Sequence, residues 1–104
     1  MRLRAILLAA CAAACPLAWG QATQEALYVK SLAATCANCH GTDGRSVAGS
    51  AVPTLAGMQK DYLVTQLKAF KAGTRPSTIM QQLAKGYSDA QIEQIAGYFA
   101  GQAK

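Results

Sequence analysis

Histidine is almost missing from this 104-residue chain: His40 is the only one. Cysteine is scarce as well, and two of the four, Cys11 and Cys15, lie in an N-terminal stretch that reads as removable. A structural zinc site takes four nitrogen or sulfur ligands, and Cys36, Cys39 and His40 are the only good ones downstream. No segment alternates apolar and polar residues over a strand's length, which excludes sheet-built classes and points to an all-α chain. No Lys/Arg run interleaved with aromatics occurs, so nucleic-acid binding fits poorly. Repeats, low-complexity tracts and long linkers are also absent, which leaves a single domain.

What is present begins with a leader. Residues 1–20, "MRLRAILLAACAAACPLAWG", put Arg2 and Arg4 before an apolar stretch from Ala5 to about Ala14, then Pro16, then small residues around Trp19. That order predicts a cleaved secretory signal over 1–20, export to the periplasm and a domain over 21–104. The apolar stretch is too short for a membrane span of roughly 20 residues. An alternative is "LAAC", which resembles a lipoprotein box; membrane association would then follow from lipidation of Cys11. Beyond residue 20, eight Lys and Arg face five Asp and Glu, so the net charge falls from +5 to +3. Such a charge steers mildly towards an acidic partner surface.

Helical patterning covers most of the remainder. "ATQEALYVKSLAATCANCH" reads as a helix running into the cysteine pair, with Thr23 as a possible N-cap and Leu27, Ala34 and Cys36 at helix-compatible separations. Residues 41–53 turn to Gly, Ser and Asp and read as loop. "MQKDYLVTQLKAFKAG" sets Leu63, Leu67 and Phe70 at i, i+4, i+7, with Gly73 as a C-cap. A loop with one or two helical turns follows, stopped near Gly86. "SDAQIEQIAGYFAGQ" then opens on a capping-box spacing, Ser88 to Gln91, and aligns Ile92, Ile95 and Phe99. The candidates for the core, or for an apolar jacket around a cofactor, are Leu55, Leu63, Leu67, Ile79, Leu83, Ile92, Ile95 and Phe99.

"TCANCHGTDG", residues 35–44, holds the chemistry. Zinc lacks a fourth ligand. A redox dithiol normally follows a strand in a βαβ unit, and no strand is in sight. A plain disulfide across so short a loop would remove little unfolded-state entropy and leave His40 unexplained. Covalent haem attachment uses all three residues: each thiol of Cys36 and Cys39 adds across a vinyl group, and the adjacent imidazole of His40 ligates the iron. With no second histidine, a methionine thioether is the natural second axial ligand. Met58 lies 18 residues after His40 and Met80 lies 40 residues after it, a path long enough to wrap the haem edge. Met80 is therefore preferred, in a polar stretch where an Ile-Met pair needs a reason to point inward, while Met58 remains the alternative.

"CANCHG", "PTLAG" at 53–57, a later methionine and the closing "GYF" resemble class I cytochromes c across residues 25–100. "STIMQQLAKGYSDAQIEQIAGYFA" is similar to the cytochrome subunit of flavocytochrome c sulfide dehydrogenases, and to one half of the related tandem dihaem cytochromes. The resemblance implies a small helical fold around one covalent haem c, with Met80 at the ligand position. It further implies that Pro53 offers its backbone carbonyl to the free ring nitrogen of His40. Tyr62, Gln66 and Arg75 become candidates for the haem propionates.

The function expected is single-electron transfer without catalysis at a substrate. The resemblance adds a partner, an FAD-containing sulfide dehydrogenase subunit. The alternatives are a free shuttle between another dehydrogenase and a terminal oxidase, or a haem-based peroxidase or gas sensor with a labile Met80.

Overall fold

The computed structural model describes residues 16–104, so the apolar stretch of the expected leader and Cys11 lie outside the described residues. Five helices follow in order: α1 (Pro16–Ala34), α2 (Ala37–His40), α3 (Lys60–Ala72), α4 (Met80–Lys85) and α5 (Asp89–Ala100), with a 3-10 turn at Thr42–Gly44. No strand occurs among the described residues, and no helix there is long and apolar enough to cross a membrane. The chain is all-α, as its patterning implies.

Two helix ends form as their sequences direct. Gly73 closes α3 in the left-handed conformation (φ 78°), with its N–H donating back into the last turn. At the start of α5 the Ser88 hydroxyl accepts from the Gln91 N–H and the Gln91 side chain accepts from the Ser88 N–H, a complete capping box. Thr23 is different. Helix α1 already runs from Pro16 among the described residues, so Thr23 lies within it and not at a helix start.

Helix α5 is the hub: it packs against α1 and α3, and α3 also packs against α4. Ala33 of α1, Leu63 of α3, and Ile95, Ala96 and Phe99 of α5 form the buried cluster. Leu55, Met58, Leu67, Tyr87, Tyr98 and Cys36 pack around it, partly buried. At the end of α1 the inward residues are Ala33, buried, and Leu32, half-buried, with Cys36 just beyond the helix, whereas the expected Leu27 and Ala34 are exposed. Small side chains at Ala33 and Ala96 place backbone close to backbone where α1 meets α5. Leu63, Ile92, Ile95 and Phe99 are buried as expected, whereas Ile79 and Leu83 are 55% and 46% exposed and belong to no protein core.

Candidate functional site

The cysteine pair sits where α1 hands over to α2. The Cys36 N–H still donates to Ala33 in the last turn of α1, and the Cys36 carbonyl accepts from both the Cys39 and His40 N–H groups, at 3.3 and 2.9 Å. This puts Cys36 and Cys39 three apart on one turn, with His40 directly behind. Both thiols are free, Cys39 exposed and Cys36 half-buried. His40 is the one buried polar side chain among the described residues, at 9% exposure.

His40 Nδ1 lies 2.7 Å from the Pro53 carbonyl oxygen. A carbonyl only accepts, so Nδ1 carries the proton and Nε2 keeps the lone pair a metal needs. The loop that brings Pro53 there is tightly specified. Gly41 has φ 83°, and a Cβ at that position would sit 1.8 Å from the Arg45 carbonyl oxygen. Gly44 (φ 77°) lies against the Phe99 ring, and its carbonyl accepts from the Leu55 and Ala56 N–H groups at 2.7 and 3.1 Å. The Gly57 N–H donates to the Phe99 carbonyl at 2.9 Å. Tyr98 donates to Asp43 at 2.6 Å, and Arg45 Nε donates to the Ala103 carbonyl at 2.9 Å. The loop is thereby sewn to α5 and the residues after it, with Pro53 over the imidazole.

One rival chemistry fails on this geometry. No three His, Cys, Asp or Glu side chains converge to hold a metal ion among the described residues, which leaves zinc without a tetrahedral shell. Burial pushes the Cys36 thiol up in pKa, opposed by its contact with Thr35 and reinforced by Cys39.

The two methionines separate. Met58 packs against the buried cluster, the ordinary use of a flexible apolar side chain. Met80 is the first residue of α4, not a loop residue, and is half-buried outside that cluster. Its sequence neighbour Ile79 is exposed, as is Leu83 one turn further along α4. Tyr62 on α3 is likewise 50% exposed. Large apolar side chains left uncovered on the helix that Met80 opens suit an apolar group that the protein itself does not supply. Free thiols three residues apart and an imidazole with Nδ1 occupied fit a covalent haem at the cysteine turn. Of the propionate candidates, Arg75 and Gln66 are joined by a guanidinium-to-amide hydrogen bond, and Arg75 stacks 4.5 Å over the Phe70 ring.

One contact beside the cysteines has no signature in the sequence pattern. Thr35, one residue before Cys36, meets Tyr87, which follows α4, hydroxyl to hydroxyl. Two hydroxyls 52 residues apart leave no periodicity or motif to read.

The cytochrome c family profile matches residues 26–102. The cytochrome subunit of sulfide dehydrogenase from Chlorobaculum tepidum is 45% identical over 73 residues, 70% of this chain and 64% of that protein. The thiosulfate dehydrogenase electron acceptor of Thiomonas intermedia is 36% identical over 84% of this chain, which spans 37% of that protein. Among solved structures, the cytochrome c4 of Acidithiobacillus ferrooxidans superposes with a TM-score of 0.59 at 40% identity, over 62% of this chain and 37% of that one. The chain thus spans less than two thirds of the length of these relatives.

Proposed function

We propose a function from one premise: this chain belongs to the cytochrome c family and is an electron carrier with covalently bound haem c, not itself an enzyme. When bound, that haem supplies a one-electron couple between ferric and ferrous iron. In our reading Cys36 and Cys39 would hold it through thioethers, and His40 Nε2 and the Met80 thioether would ligate its iron. The Pro53 carbonyl holds the His40 ring in one tautomer and orientation, and increases the basicity of the nitrogen that binds metal. With both ligands supplied by the chain, the iron would have no place for substrate, and the role would be outer-sphere electron transfer. The exposed apolar side chains of Tyr62, Ile79 and Leu83 are then the jacket that excludes water. The His40–Pro53 contact directly behind the paired free thiols is the observation that carries this reading.

We place the protein in the periplasm, with residues 1–20 as its leader; the support is the arginine-then-apolar order of that stretch. We further propose that it is the electron-accepting subunit of a sulfide-oxidising flavocytochrome, docked on an FAD-containing chain. The support is the similarity to the Chlorobaculum sulfide dehydrogenase subunit. The Thiomonas relative, named as an electron acceptor, favours the second reading, a free soluble shuttle. Purification from the native host separates the two: a flavin-containing chain that co-elutes supports the subunit, and a stable flavin-free monomer overturns it. Carbon monoxide tests the rival sensor or peroxidase function. Ready uptake by the reduced protein at neutral pH would contradict the carrier.

A further inference from the structure

Thr35 Oγ1 joins two distant parts of the chain. Its single proton goes to the Leu32 carbonyl, 2.7 Å away, so the Tyr87 hydroxyl, at 2.5 Å, must donate to it. The same oxygen lies 3.9 Å from Cys36 Sγ. Tyr87 follows Gly86 at the end of α4, and its side chain packs, partly buried, on the cluster that also receives Cys36.

Helix α4 packs along α3, yet it buries little in doing so. Six residues are far too few for independent helical stability, and only Ala84 is buried. No side chain caps its start at Ile79. Its first turn is tied by Gln81, whose N–H donates to Ser77 Oγ at 3.0 Å and whose amide donates to the Arg75 carbonyl at 3.2 Å. Its far end is tied by Tyr87.

We infer that Tyr87 is a positioning residue: by donating to Thr35 it holds α4 against the cysteine turn and keeps the Met80 thioether closed on the haem that Cys36 anchors. This rests on the reading of Met80 as an axial ligand. Opening of α4 exposes the iron's second face to added ligands, and the tether sets how often that happens.

A built-in control exists in Tyr28. Its hydroxyl accepts from Gln91 Nε2 at 2.9 Å and ties α1 to α5 without touching α4. The test uses the haem-loaded full chain and follows the rate at which imidazole erases the methionine-to-iron charge-transfer band of the oxidised protein, alongside thermal unfolding. Tyr87→Phe and Thr35→Val should each speed that loss about fivefold, the opening that one net hydrogen bond resists. The double variant should be no faster than either single one, because both remove one interaction. Thr35→Ser keeps the hydroxyl and should keep the wild-type rate. Tyr28→Phe should lower the unfolding midpoint yet leave the rate unchanged. A Tyr87→Phe protein that loses its band no faster than Tyr28→Phe overturns the tether and leaves Met80 standing. A wild-type protein with no such band overturns the Met80 reading and the tether with it.

Discussion

The loop after His40 and the segment around Met80 are built on opposite plans. Residues 41–57 are held by two left-handed glycines that tolerate no side chain, by backbone bonds from Gly44 to Leu55 and Ala56, and by the Gly57, Tyr98 and Arg45 contacts to the chain's last helix and end. Residues 74–87 pack on α3 but bury only Ala84, are tied by a few polar side-chain contacts and leave Ile79 and Leu83 in the open. One region presents its proposed ligand, His40, on a rigid frame; the other presents its proposed ligand, Met80, on a short helix with a tie at each end. The difference teaches where such a site opens. Local release concentrates where few apolar contacts are buried, so exchange of an axial ligand should occur on the Met80 side while His40 stays in place.

Breaking the rigid side should cost most. Phe99→Ala removes the ring that closes the buried cluster and backs Gly44, and should lower stability by about 3–5 kcal/mol in chemical unfolding. Gly44→Ala should cost about 1–3 kcal/mol by the same measurement, because its Cβ would meet the Phe99 ring and its φ is 77°. Ser88→Ala strips the capping box from α5 and should cost about 1 kcal/mol, without changing the rate at which imidazole enters.

The pH dependence sharpens the comparison with a smaller effect. The hydrogen bond to Asp43, with lesser contributions from burial and the Asp43 charge, raises the Tyr98 pKa above the ordinary tyrosine value of 10.0. A raised acid contributes stability that is present below its unfolded pKa and lost as pH rises through the folded one. The His40-side loop should therefore loosen only in strongly alkaline solution, and Tyr98→Phe should flatten that limb of the unfolding midpoint plotted against pH. The methionine band should disappear at lower pH than the loop loosens; the reverse order would reject the contrast between the two sides. The Lys71–Asp89 pair, at 3.0 Å on the exposed α3–α5 surface, should matter least. Lys71 holds the Asp89 carboxyl below its ordinary range, a small contribution present at neutral pH and lost as pH falls through the lowered value, and one that salt screens.

The rigid side was also the more legible in sequence, and for a physical reason. Cys36, Cys39 and His40 fall within five residues, so the chemistry proposed for them can be read from one short stretch. The Ser88–Gln91 box and Gly73 are equally local. Pro53 was reached only through resemblance to a family, since nothing in its neighbourhood says that a carbonyl 13 residues on will meet His40. The Thr35–Tyr87 and Tyr98–Asp43 contacts join residues more than 50 apart and left no pattern. Ala33 and Ala96 were missed as core because alanine is common on both faces of a helix. Ile79 and Leu83 carry core-like side chains in exposed positions, because apolar character demands a cover without saying that the cover is protein.

The most direct test of the account is the charge-transfer band of the oxidised protein in two variants. With Met80 as the axial ligand and Met58 as core filler, the wild type and Met58→Ala show the methionine-to-iron band at neutral pH, and Met80→Ala lacks it. A band that survives Met80→Ala, or vanishes in Met58→Ala alone, would contradict the account.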